Sequence, residues 1–268
     1  MKKYLHVINI GVQNLLVYRV NFFFRAAFGL IPLMATIMLW KAIYGGKADG
    51  AEVAGYTLAQ MVSYYLIVTI VDSLSAVNED DWQIANDIKD GNISQFLLKP
   101  IDYLTYRLFL FFTGRAIYTI VAAVPVGLFI WYLSKYFVGP ANATAMTVFC
   151  VSVVLTALLQ FFISYTMALL AFWVLEVATF IFILYAFEYL AGGHMFPLDI
   201  LPEGVQQVLQ FTPFPYLLYF PVSVYLGRIE GDAMWTGLLI QAGWVIGAFL
   251  MAKFVWSRGI KKYSAYGG

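Results

Sequence analysis

From Thr144 to Leu190 the chain contains no glycine and no proline, and its one charge away from the end is Glu176. A continuous helix of that length rises well past the lipid core, since each residue adds about 1.5 Å and the hydrocarbon is about 30 Å thick. The run therefore predicts two crossing helices joined by a hairpin. Glu176 marks the turn, near Trp173 to Glu176, and its carboxylate suits the positive N-terminal end of the second helix. Composition removes the water-soluble alternative: 62% of residues are hydrophobic and only 12% charged, about half the charge fraction of soluble domains. A chain of this kind cannot hide its apolar surface within itself, whereas lipid solvates it.

A span needs roughly 20 mostly apolar residues. Besides two helices within Thr144 to Leu170 and about Val177 to Leu190, the candidates are Phe22 to Tyr44, Thr57 to Val77, a stretch within Leu104 to Leu133, and Met234 to Trp256. The predicted fold class is an all-α membrane protein, one transmembrane domain over residues 1–268 with six transmembrane helices. Lysine and arginine set the orientation. With the N-terminus inside, 12 of the 16 fall on the cytoplasmic face and 4 outside (Lys41, Lys47, Lys135 and Arg228). Both termini are then cytoplasmic. Arg25, Arg107 and Arg115 lie within helix ends, from which they snorkel to the interface. The opening MKKYLHVINIGVQNLLVYR lacks a long apolar core with a small-residue cleavage site, so it reads as mature protein.

Two flanking segments are neither span nor ordinary loop. Residues 1–20 place Leu5, Ile8, Val12, Leu15 and Leu16 on one helical face, with Lys3, Asn9, Gln13 and Asn14 elsewhere; this predicts an interfacial helix on the inner leaflet. Residues 194–232 carry Pro197, Pro202, Pro213, Pro215 and Pro221, which break a long helix. Yet Val205 to Leu226 is too apolar for a solvated loop. Two short re-entrant helices between spans five and six, on the outer side, fit it, because irregular backbone at membrane depth survives only when buried in protein or lining a cavity.

The sequence carries no catalytic constellation. A single cysteine, Cys150, excludes an intramolecular disulfide and a cysteine metal cluster. The two histidines, His6 and His194, do not suggest a metal site. No phosphate-binding G-x-x-x-x-G-K-[ST] loop, H-E-x-x-H or nucleophile elbow is present. A net charge of +1 gives no field for nucleic acid. Aromatic residues make 18% of the chain and are expected mostly to face lipid or form interfacial belts. Charges within the membrane are costly and so mark candidate function: Asp72, Glu188 near the outer end of span five, and His194 are the substrate-path candidates, with Glu188 paired to His194 or lining an exit.

The segment 78–100, between spans two and three, sets Glu79, Asp80, Asp81, Asp87 and Asp90 beside Trp82, Ile84, Ile88, Ile93, Phe96, Leu97 and Leu98. So many large apolar residues predict a short amphipathic helix, a Gly91 turn and a second apolar piece. Such a unit can dock in a groove of a soluble partner.

The stretch Asp90-Gly91-Asn92-Ile93-Ser94-Gln95-Phe96-Leu97-Leu98-Lys99-Pro100 resembles the cytoplasmic segment of ABC-2 type permeases: an acidic residue, a glycine, paired leucines, a proline. The amphipathic start, the broken segment before the last span and the ending GIKKYSAYGG are similar to the six-span branch of that family without a fused ATPase. The acidic patch Glu79 to Asp81 departs from it. The resemblance implies a multi-pass permease subunit of the plasma membrane (in a bacterium, the inner membrane) that pairs with a second copy or a paralogue in membrane lipid. A separate ABC ATPase subunit would bind ATP and magnesium, this chain holding no cofactor. Residues 78–100 would be the coupling helix, with Asp87, Ile88, Asp90, Gly91, Ile93, Phe96, Leu97, Leu98 and Pro100 as ATPase-coupling residues. The implied function is export or flipping of a hydrophobic or amphipathic substrate. A stand-alone secondary transporter or channel is the alternative, although it would need ion-binding charges and usually internal repeats.

Overall fold

The computed structural model describes residues 2–48, 50–77 and 80–263. Asn78 and Glu79 of the expected loop and the last five residues of the GIKKYSAYGG ending lie outside them, as do the side chains of Lys2, Lys3 and Asp80. The described residues form helices and no strand: α1 (Lys2–Leu16), α2 (Arg19–Tyr44), α3 (Leu58–Ser75), α4 (Asp80–Lys89), α5 (Ile93–Leu97), α6 (Tyr103–Tyr132), α7 (Ala143–Ala168), α8 (Ala178–Ala191), α9 (Glu203–Gln210), α10 (Tyr219–Tyr225) and α11 (Gly231–Lys262).

Five of these, α2, α3, α6, α7 with its 3-10 extension to Phe172, and α11, are long and apolar enough to cross a membrane. The predicted fifth span is the exception. The hairpin turn falls at Trp173–Val177, but α8 has only 14 residues, a rise of about 21 Å against a core of about 30 Å. Apolar sequence continues past Leu190, yet Gly192 and Gly193 end the helix, the latter with φ at +97°. A β-carbon on Gly193 would lie 2.6 Å from the Tyr64 hydroxyl, so glycine is required there on both counts.

α7 is the centre of the bundle. One face packs on α11 and α6 through Phe161, Phe162 and Tyr165, and its far end meets α4 through Leu169 and Phe172. Another meets α3 and α10 through Phe149 and Val153. α1 lies across the start of α6 because glycines permit it. A β-carbon at Gly11 would stand 3.2 Å from Leu110, and one at Gly114 3.9 Å from Leu15. α2 packs on α6 and α3 along one narrow face, burying Ala26, Ile37 and Tyr44 while Phe24, Phe28, Ile31, Met38 and Leu39 stay exposed.

Between Gly192 and Gly231 the chain leaves α8, passes through α9, and doubles back until the Tyr219 N–H reaches the Gly192 carbonyl at 2.9 Å. From there α10 runs, buried, to Tyr225, whose carbonyl accepts from Ala141 in the α6–α7 loop. Broken backbone away from water needs internal partners, and the long helices supply them. Tyr64 donates to the Gly193 carbonyl at 2.6 Å and Tyr65 to Met195 at 2.7 Å. Gln241 on α11 donates to the Tyr216 carbonyl at 2.9 Å while its own carbonyl accepts from Ser152 at 2.8 Å. Tyr64 and Tyr65 are thus buried hydrogen-bond donors and not lipid-facing rings. At the far end, Tyr56 and Arg228 both donate to Asp199 at 2.9 Å, and Arg228 also donates to the Gly55 carbonyl at 2.8 Å. That latch ties the α2–α3, α8–α9 and α10–α11 connections together.

Candidate functional site

Asp72 and the distant pair Glu188 and His194 line one open cavity of about 420 Å³ bordered by α2, α3, α6, α7 and α8. The short α8 makes this possible. It ends at Ala191, three residues after Glu188 and three before His194. The Gly192-Gly193 turn then swings His194 towards α3. His194 Nε2 stands 3.2 Å from the Asp72 carboxylate, and its ring stacks on Tyr189 with centroids 5.6 Å apart. The Glu188 carboxylate takes its hydrogen bonds from α7. Both its oxygens accept from the Gln160 amide of α7, at 2.8 and 2.9 Å. Arg115 and Tyr118 of α6 complete the polar wall, while Ala26, Gly29 and Leu30 of α2 form the apolar one. Polar groups inside a membrane bundle face a cavity or one another, and here they do both. Such a chamber suits a molecule with polar and apolar parts; it holds no nucleophile–base pair and, among the described residues, no cluster of three metal-ligating side chains.

Beneath the cavity sits the α4–α5 pair. The inner face of α4 buries Ile84, Ala85 and Ile88, and Ile93 of α5 is fully buried beside them. Gly91, at φ +79°, turns the chain between the two helices, and its carbonyl accepts from the Tyr263 hydroxyl at the end of α11, at 3.1 Å. Asp87 faces inward as well. It pairs with the Arg107 guanidinium and accepts from the Tyr103 hydroxyl at 2.7 Å, and Arg107 also donates to Gln83 at 3.2 Å. This network clamps α4 to the first turns of α6.

Asp81 joins the two sites. Its buried carboxylate accepts a hydrogen bond from Tyr185 on α8, one helical turn before Glu188. Burial pushes the Asp81 carboxyl above its usual range, against the opposing pull of the Tyr185 and Trp82 hydrogen bonds. This contact ties α4 to α8, a wall of the chamber. The sequence reading placed Asp81 only in an acidic patch and gave Tyr185 no role, and nothing short-range links two residues 104 positions apart.

The expected coupling residues divide by burial. Ile88 and Ile93 are core, and Asp87 serves the clamp. Phe96 is half-buried, its ring 5.1 Å from Tyr103 and 5.0 Å from Tyr106, with Lys99 over it. Asp90 and Pro100 are exposed. Leu97 and Leu98 stand out: they are 50% and 88% exposed, and Trp82 of α4 is exposed as well.

A family model described as ABC-2 family transporter protein matches residues 30–267. No curated protein and no solved structure matches the chain.

Proposed function

The chain belongs to the ABC-2 family of transporter proteins, and from that premise we propose that it is the permease subunit of an ATP-driven exporter of a hydrophobic or amphipathic substrate. A separate ATPase subunit binds ATP and magnesium and seats on α4 and α5, with Leu97, Leu98 and Trp82 as its apolar contacts. Six passes, α8 together with the segment up to Asp199 counting as the fifth, leave both termini in the cytoplasm and α9 on the outer face. α1 lies along the inner leaflet. A second copy, or a paralogue, covers the exposed faces of α2 and α8 and closes the chamber between the subunits. ATP-driven approach of the two ATPase subunits pushes α4; Asp81 and Tyr185 pass that push to α8, and the chamber opens outward.

The observation that carries this reading is the contact between Asp81, at the base of the would-be coupling helix, and Tyr185, on the chamber wall. Its test is co-expression with an ATPase encoded beside it, followed by ATP hydrolysis in nanodiscs. The complex is expected to hydrolyse ATP, and Tyr185→Phe to leave assembly intact while changing turnover. A chain that purifies without any ATPase, from cells that make both, overturns the reading. The gathering of Asp72, Glu188 and His194 also favours a second reading, a stand-alone ion-coupled carrier. That reading predicts transport driven by a proton gradient in proteoliposomes holding this chain alone.

A further inference from the structure

Ser73 of α3 and Val126 of α6 line the chamber and also a second cavity, of about 200 Å³, between the same two helices, so the two spaces adjoin. Ile70, Ala122 and Ile130 supply apolar wall to the second. The two hydroxyls that line it are spent on backbone: Ser73 donates to the Thr69 carbonyl and Thr119 to the Ser73 carbonyl, each at 2.8 Å. The cleft therefore presents hydrocarbon. On α6 its wall runs from Thr119 to Ile130, a rise of about 16 Å. A β-carbon at Gly127 would meet nothing within 4 Å. Ala123 and Gly127 are both exposed, so the cleft opens sideways out of the bundle. The chamber end is polar, and its wall carries acidic and basic side chains together, Asp72 and Glu188 with Arg115 and His194. The Asp72 side chain keeps 35% of its surface exposed. A carboxylate has about four lone-pair sites, and His194 stands at one of them, so Asp72 can accept from a further donor.

We propose that the substrate is an uncharged, single-tailed amphiphile whose hydroxyl-bearing head occupies the chamber and whose tail lies in the α3–α6 cleft. A wall of mixed sign disfavours a head of either net charge, whereas a hydroxyl both donates and accepts. Removing the tail from water or loose lipid into a shaped apolar slot selects for its length and for a single chain. In the proposed orientation Asp72 sits in the last turn of α3, near the cytoplasmic boundary, and the cleft runs from there towards the midplane. Polar end and apolar end thus stand in the order an amphiphile takes in the inner leaflet, and the sideways opening admits the tail directly from lipid. This rests on the proposed function for the chamber's being a substrate site and for its orientation; it does not need the ATPase.

The test is photolabelling of the full-length chain in phosphatidylcholine nanodiscs, without ATPase, by dodecyl glucoside carrying a diazirine in its tail, with adducts mapped by mass spectrometry. Adducts are expected to gather on Ile70, Ala122 and Ala123, at least fivefold above Ile120 and Leu128 on the lipid-exposed side of α6, and to fall when unlabelled dodecyl glucoside is added. Gly127→Leu, which places its side chain in open space, is expected to remove the cleft adducts and spare those at Leu128. Ala123→Leu is expected to do the same, and melting curves check that both variants fold. Asp72→Asn exchanges a charged acceptor for a neutral one and is expected to weaken labelling about fivefold. Equal labelling of cleft and lipid-exposed positions, or cleft adducts that survive in both leucine variants, overturns the proposal. So does equal labelling of the cleft by a diazirine phosphatidylcholine with no effect of Asp72→Asn, which makes it a groove for ordinary lipid. Because no ATPase is present, failure here leaves the ATPase partnership standing, and loss of that partnership leaves this binding result standing.

Discussion

Replacing Leu97 and Leu98 together by serine isolates the docking claim, because neither side chain has much to lose in the chain alone. Full burial of a leucine contributes about 1.5–3 kcal/mol. Leu98 is 88% exposed and Leu97 50%, so covering both by a partner would contribute about 2–4 kcal/mol at the same scale. At about 1.4 kcal/mol per tenfold that is a rise in Kd of about 30- to 1,000-fold, with the lower end expected because ordering at an interface opposes part of the gain. The permease itself is expected to melt within a degree or two of wild type, as surface changes usually fall within about 0.5 kcal/mol. The assay is biolayer interferometry of the ATPase on nanodisc-held permease, with a melting curve for each variant. Phe96→Ser is the contrasting control: its ring packs on Tyr103 and Tyr106, so it lowers the permease's own melting temperature. Binding of the double serine variant within threefold of wild type, with melting unchanged, refutes the assignment of these leucines.

Three further outcomes follow from the packing. Tyr64→Phe removes the donor to the buried Gly193 carbonyl and is expected to cost about 1–3 kcal/mol, read as a lower melting temperature in detergent. Gly259→Ala drives a β-carbon into the Phe172 ring; such overpacking costs about 1–3 kcal/mol, and an unchanged melt would contradict the contact between α11 and the end of α7. Asp81→Asn tests linkage. A carboxyl raised in the folded state binds its proton more tightly there than in the unfolded chain. Its contribution is therefore greatest below the unfolded value of about 3.9 and declines as pH rises from there to the raised one. Wild type is expected to lose melting temperature across that window, and the amide variant to show a flatter profile.

How much of this was legible in the sequence depended on the range of the signal. The hairpin at Trp173–Val177 could be read because an apolar run without glycine or proline was too long for one crossing and Glu176 was its only interior charge. Gly91 was readable as a turn for a similar local reason. The end of α8 was not: apolar residues continue past where it stops, and only the fit of Gly193 beneath Tyr64 shows why the helix breaks there. The partner of His194 was also beyond reach, since Glu188 is near in sequence while Asp72 is 122 residues away. Composition could not single out Tyr64 and Tyr65, because a tyrosine facing lipid and one satisfying a broken backbone look identical in sequence. Gln160 and Gln241, each sitting in an apolar run, carried the one available clue: a polar amide inside a membrane helix needs an internal partner.

The central claim is that α4 and α5 form a cytosolic seat for an ATPase. The most direct measurement is photo-crosslinking in intact cells, with a diazirine-bearing amino acid in place of Leu98 and the neighbouring ATPase co-expressed. The account predicts one dominant adduct, with the ATPase, and no labelling of a cysteine at the same position by a membrane-impermeant maleimide added outside. Labelling from outside, or the absence of an ATPase adduct in cells that make both proteins, would contradict it.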